Sequence, residues 1–180
     1  ADHTGYTGLV RKGDQGGDRP NNYMLQIKPD GPGGADLIQC VYSHASDNNT
    51  YVDSVSMLDV SKWYHIACVI NPSAGKMIIY FNGKPNVEKV IPVEDLDPGD
   101  NPVWIGRRHD NWFNGIVDEV AIFNVALTES DIGSIMNSGL GKVSVGNPST
   151  KYISYTNSAR YEITHTATVT NYDITTLTSV

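Results

Sequence analysis

The sequence predicts an all-β fold, a sandwich or a barrel, on three observations. Short β-branched and aromatic runs recur between clusters of Gly, Pro, Asn and Asp. Long helical periodicity is nearly absent. The 180 residues suffice for one domain with a proper core, or for one domain plus an appendage.

Composition narrows the function classes. A formal net charge of −7 argues against nucleic acid, because no basic stripe is present to neutralise phosphates. The acidity fits plain solubility, or loops that bind a divalent cation. No run approaches the roughly 18 apolar residues of a membrane span. No signal-peptide pattern opens the sequence, as expected of a mature chain or an excised piece.

Taken in order, Gly8-Leu9-Val10 begins a strand that ends at Lys12-Gly13. Asp14 to Asn22 is turn chemistry; its Asp14, Gly16, Gly17 and Asp18 fit a plain surface turn or, as the sharper alternative, a cation-binding loop. Tyr23 to Ile27 alternates as a strand, Pro29 to Gly34 turns, and Leu37 to Ser43 is the next strand. His44 to Tyr51 is a polar loop in which Asn48-Asn49-Thr50 matches a glycosylation acceptor, a pattern short enough to arise by accident. Tyr51 to Leu58 alternates as an edge strand.

Lys62 to Ile70 is a near-continuous apolar run, the pattern of a central strand covered on both faces. It places Trp63 in the core and makes His65 a hydrogen-bonded core histidine. Asn71 to Gly75 turns the chain, Lys76 to Phe81 returns as the partner strand, and Asn82-Gly83 signals a hairpin into Val87 to Val93. Glu94, Asp95, Asp97 and Asp100 lie between Pro92, Pro98 and Pro102. They read as solvated loop charges, since a glycosidase holds its paired carboxylates face to face on rigid elements.

Val103, Trp104 and Ile105 form a strand ended by Gly106, with Trp104 in the core; Arg107 to Trp112 is a polar loop. Ile116 to Phe123 is apolar on both faces and reads as a central strand, so Asp118 and Glu119 sit where a carboxylate is costly unless paired or on a metal. Thr128 opens a short helix near residues 128–137 with Asp131 in a capping-box position, Ile132, Ile135 and Met136 as its buried stripe, and Gly139 and Gly141 ending it. Beyond Gly141 the composition shifts to Thr, Ser, Tyr and Asn, which divides the chain into a domain of residues 1–141 and an extension of residues 142–180. In the extension, KYISYTN, an alternating RYEITHTATVTNY and Ile174 to Val180 are strand-like.

Cys40 and Cys68 both lie in strand-like runs. They fit a disulfide between neighbouring strands in an oxidising compartment, or two small buried residues. There is no CxxC and no Cys/His spacing for zinc.

Two blocks carry a family resemblance. SKWYHIACVINPSAGKMIIYFNGK resembles the Trp-x-His-Ile-Ala, turn, strand, Asn-Gly-Lys signature of laminin-G-like, concanavalin A-like lectin/glucanase jelly-roll domains. VWIGRRHDNWFNGIVDEVAIFNVALTESDI is similar to their C-terminal signature. The order and separation of the blocks make the resemblance specific over about Gly8 to Gly139. It implies an all-β antiparallel β-sandwich with jelly-roll topology and a binding or adhesive role, usually extracellular, often toward carbohydrate and in many members with calcium. It makes Asp118, in the Asp-Glu-Val motif, the first candidate for a cation ligand or a structural cap. It sets Arg107 to Trp112 near the usual ligand-facing edge.

The chain departs from the family at both ends. Family domains carry strands before the point matching Gly8, and they usually stop soon after the helix. A jelly roll lacking strands exposes edges and an apolar groove. The C-terminal strands fill it by folding back, as in a circular permutation, or they insert into a neighbouring subunit; a third reading is a fragment.

No Gly-x-Ser-x-Gly, HExxH, P-loop or dinucleotide fingerprint occurs, and neither does the Glu-x-Asp-x-x-Glu string of glucanases that share the resembled fold. The expectation is therefore a non-enzyme. Sugar sites need an aromatic platform with planar polar groups, and Arg108, His109, Asp110, Asn111 and Trp112 supply that set in one loop, although Trp112 equally fits packing beside Phe113. The function expected is an extracellular or cell-surface recognition module for a glycan or an extracellular protein ligand, stabilised by calcium. The alternative is a self-assembling surface or filament subunit whose strand Tyr161 to Val180 completes a neighbour.

Overall fold

Alternation along the chain sorts side chains to two faces, and the strands of this computed structural model follow it. It describes residues 5–13, 21–29, 35–44, 48–94, 96, 101–139, 151–152 and 167–168. Residues 1–81 with 85–115 form one unit, and residues 82–84 with 116–180 a second.

In the first unit, β1 (Thr7–Gly13), β2 (Asn21–Lys28), β3 (Asp36–His44), β4 (Asn48–Leu58) and β8 (Val103–Ile105) make a five-stranded sheet. Its order is β4-β3-β2-β1-β8, antiparallel throughout. A three-stranded sheet holds β5 (Ile66–Asn71), β6 (Lys76–Phe81) and β7 (Lys84–Val90) in that order. The turn Asn82-Gly83 has positive φ at both residues, 48° and 76°, as a tight hairpin between β6 and β7 requires. The core is one interdigitated layer. Ile27, Ile38, Cys40, Tyr42 and Val52 of the larger sheet meet Met77, Ile79 and Phe81 of the smaller one. Each such side chain contributes about 1.5–3 kcal/mol on burial. This is the antiparallel sandwich of a jelly roll.

A disulfide joins Cys40 of β3 to Cys68 of β5, with the Cα atoms 6.3 Å apart. It does not tie neighbouring strands, as expected from the sequence, but clamps one sheet to the other across the core. On the far face of the larger sheet, polar side chains meet across strands. Gln26 Nε2 donates to Gln39 Oε1 at 2.5 Å, Gln39 Nε2 to Asp53 Oδ1 at 2.7 Å, and Lys28 Nζ to Asp53 Oδ2 at 2.5 Å.

Three expectations are corrected here. Among the described residues the run Lys62 to Ile70 is not a central strand: β5 starts at Ile66, lies at a sheet edge and pairs only with β6. Trp63 is not in the core but 66% exposed. Tyr64 takes the inward place against Phe81, with ring centroids 6.0 Å apart, and its sequence neighbour is turned outward. Trp104 is half-buried rather than enclosed.

In the second unit, Ile116 to Phe123 is not a strand; only Val120 makes an isolated bridge. Asp118 Oδ1 accepts the Glu119 N–H at 2.9 Å, and Glu119 turns into the left-handed region at φ 48°, which breaks the extended path. Asp118, Glu119 and Ile116 are consequently exposed rather than buried. Helix α1 (Glu129–Ser138) has the full capping box: Thr128 Oγ1 accepts the Asp131 N–H at 3.2 Å, and Asp131 Oδ2 accepts the Thr128 N–H at 2.9 Å. Ile132 and Ile135 are buried, whereas Met136 is exposed beside the Asn82-Gly83 turn. Gly139 ends the helix at φ 72°. Further on, β11 (Lys151–Tyr152) pairs antiparallel with β12 (Ala167–Thr168). The remainder of the Tyr161 to Val180 segment, the loop Asp14 to Pro20, and Asp95, Asp97 and Asp100 lie outside the described residues. Asn48 heads β4 opposite His44, and its side chain also lies outside the described set.

One pH dependence follows from the sandwich. Burial raises the Tyr23 and Tyr42 phenols above their ordinary 10.0, and the hydrogen bond to Asp53 raises Lys28 above 10.5. The folded chain thus holds these protons after the unfolded chain has released them. Stability is fully present below pH 10 and falls as pH rises past the unfolded values. Urea midpoints are expected to be level from pH 8 to 9.5 and to drop by pH 11. A midpoint unchanged at pH 11 would contradict the assignment.

Candidate ligand-binding site

The expected loop Arg107 to Trp112 is a miniature hairpin. Gly106, at φ 71°, ends β8 while its N–H donates to the Leu9 carbonyl at 2.9 Å. The carbonyl of Gly106 accepts the Phe113 N–H at 2.8 Å and closes the base. Between these bonds β9 (Arg107–Arg108) pairs antiparallel with β10 (Asn111–Trp112), and His109-Asp110 is the turn, with His109 at φ 51°.

Register decides what meets what. Trp112 lies opposite Arg107, and Asn111 lies opposite Arg108. The Arg107 guanidinium is held between two indoles, its Cζ 4.6 Å from the Trp112 centroid and 4.9 Å from that of Trp104. Each such contact is worth roughly 0.5–1 kcal/mol at an exposed site and more when desolvated. Arg107 Nε donates to the His109 carbonyl at 2.6 Å, which fixes the fork. The 3.9 Å approach of Arg107 to the fully exposed Asp110 adds little. Arg108 lies over the Tyr6 ring at 5.0 Å, and Asn111 Nδ2 donates to the Tyr6 carbonyl at 3.1 Å.

Behind the hairpin, Gly8 of β1 touches the backbone of Arg107. A Cβ there would stand 2.3 Å from the Arg107 carbonyl oxygen, so only glycine permits this approach. Phe113 packs against the core, leaving Trp112 outside at 65% exposure. Packing of Trp112 beside Phe113 over the core edge is therefore excluded.

The register divides the expected set: Trp112 shares a face with Arg107, Arg108 and Asn111 occupy the other face against Tyr6, and His109-Asp110 form the turn between them. The structure adds Trp104, Tyr6 and Gly8, which sequence reasoning did not place at the site, and gives Arg107, expected only as a member of the loop, the central position. The available signal was the two-residue turn, since hairpin pairing across His109-Asp110 sets residue 107 against residue 112. Among the described residues Asp118 lacks the partners of a calcium site. Calcium takes six to eight oxygens from converging carboxylates and carbonyls. Asp118 is exposed and accepts its own chain's N–H, and among the described residues no group of three His, Cys, Asp or Glu converges.

The family described as the concanavalin A-like lectin/glucanases superfamily matches residues 2–133. Among solved structures, the native heptameric SAP-like pentraxin of Limulus polyphemus superposes with a TM-score of 0.55 at 15% identity, over 87% of this chain and 76% of that one. A Bacteroides ovatus protein described as a candidate carbohydrate-binding protein superposes with a TM-score of 0.52 at 22% identity, over 73% of this chain and 40% of its own length. At these identities the likeness is one of fold. No curated protein matches the sequence.

Proposed function

Because the chain belongs to the concanavalin A-like lectin/glucanases superfamily, we propose that it is a non-catalytic carbohydrate-recognition module whose ligand stacks on Trp112. The observation that carries this reading is an exposed indole backed by a guanidinium that is itself clamped on a second indole. The apolar C–H face of a pyranose fits the open side of such a platform, and the His109-Asp110 turn beside it offers polar groups for the sugar's hydroxyls. The clamp on Arg107 fixes the platform before the ligand arrives, which lowers the ordering cost of binding.

A non-catalytic role is supported by the exposed, adjacent Asp118 and Glu119, which do not face each other as hydrolytic carboxylates do. An extracellular site of action is supported by the inter-sheet disulfide. No helix among the described residues is long and apolar enough to cross a membrane. Strand completion between subunits is the less favoured reading. The open edge of β4 is already blunted: Asn86 Oδ1 accepts the Val55 and Ser56 N–H groups at 2.8 and 3.3 Å, and Lys89 Nζ donates to the Tyr51 carbonyl at 2.6 Å.

Native affinity electrophoresis through gels containing laminarin, xylan, mannan or galactan tests the proposal. The protein is expected to be retarded in at least one gel, with and without EDTA, and Trp112→Ala to run freely while its melting temperature falls by no more than about 4 °C, the loss of one cation–π contact. Unretarded migration of a folded monomer in every gel would sink it.

A further inference from the structure

Trp63 is as exposed as Trp112, and nothing in the recognition site uses it. The turn that carries it is fixed rather than loose. Asp59 Oδ2 accepts from Lys62 Nζ at 2.7 Å and from the Tyr64 hydroxyl at 3.3 Å, while the Asp59 N–H donates to the same hydroxyl at 3.1 Å. The Tyr64 ring meets Phe81 edge-on, at 72° between planes, so the lock is anchored in the core. Ser61 stands at φ 62°, a left-handed conformation that a non-glycine residue holds only where its surroundings impose it. This backbone and lock hold Val60 and Trp63 outward, at 69% and 66% exposure, beside the exposed Lys62–Asp59 pair.

An exposed indole held on a rigid turn that also carries an exposed ammonium–carboxylate pair has the residue types of a saccharide subsite: an apolar platform and polar groups for hydroxyls. We infer that the 59–64 turn is a second saccharide subsite, stacking a hexopyranose on Trp63, and that the module grips a polysaccharide at two points. The inference rests on the carbohydrate reading proposed above. Its consequence is avidity: the second contact becomes intramolecular and strengthens polymer binding without strengthening either site.

The chain has three tryptophans, hence three indole N–H resonances. In 15N-labelled protein these are assigned with Trp63→Phe, Trp104→Phe and Trp112→Phe. Titration with laminaritetraose, xylotetraose, mannotetraose and galactotetraose is expected to shift the Trp112 and Trp63 signals along separate saturation curves. Trp63→Ala is expected to weaken retention by the matching polysaccharide about tenfold or more, and to leave the Trp112 curve within about twofold. A Trp112 shift with a silent Trp63 overturns the second subsite and leaves the first standing. A Trp63 shift alone overturns the Trp112 reading and the two-point grip together. Silence of both signals with every sugar overturns both.

Discussion

Replacing Cys40 and Cys68 together by alanine is expected to cost about 3–4 kcal/mol, the chain-entropy value for releasing a cross-link between residues 28 apart. For a chain of this size that lowers the melting temperature by roughly 10 °C. The reason is placement: this bond is the covalent tie between the two sheets, and Cys40 is only 1% exposed. Buried in this way, the bond is also expected to resist reductant in the native protein and to yield once the chain is denatured. Differential scanning calorimetry of the double variant gives the number. A shift under about 2 °C would mean that the core alone holds the sheets together.

The second large effect is expected at Gly8. Alanine there drives a Cβ to 2.3 Å from the Arg107 carbonyl oxygen and 2.9 Å from its carbon. Both obstacles are backbone, so β1 and β9 must part. A loss of about 2–3 kcal/mol is expected, in the range of overpacked sites. Because the displaced strand carries the Arg107 clamp, saccharide retention is expected to fall with stability. Gly106→Ala is the control. Its Cβ would meet nothing within 4 Å, and only the φ of 71° resists it, so it is expected to cost about 1 kcal/mol. Equal melting temperatures for Gly8→Ala and the wild type would show that the hairpin does not lean on β1 as described.

How much of this was legible in the sequence depends on which physical signal each element gives. Strands β1 to β4 and β6, the Asn82-Gly83 hairpin and the capped helix all follow from local rules: alternation, turn chemistry and capping. The errors arise where the deciding contact is distant. The run before Cys68 is apolar enough for a central strand, but periodicity does not show how many neighbours a strand has. Tyr64, not Trp63, takes the inward place of that run. Ile116 to Phe123 has strand composition, yet the Asp118 side chain competes for the backbone and Glu119 leaves the extended region. At the site, the five residues from Arg108 to Trp112 were visible as a polar and aromatic set. Arg107 was visible as a member of that loop but not as its organiser, because its role depends on hairpin register and on Trp104, which lies outside the hairpin.

The central claim is that the open face of Trp112 binds a saccharide. Isothermal titration with the tetrasaccharide that perturbs the indole signals tests it most directly, comparing wild type, Trp112→Phe and Trp112→Ala at matched folded fraction. A smaller ring keeps part of the platform and a methyl group none. The account expects Phe to retain measurable binding and Ala to lose tenfold or more in affinity, about 1.4 kcal/mol or above. An alanine variant that binds as tightly as the wild type would contradict it.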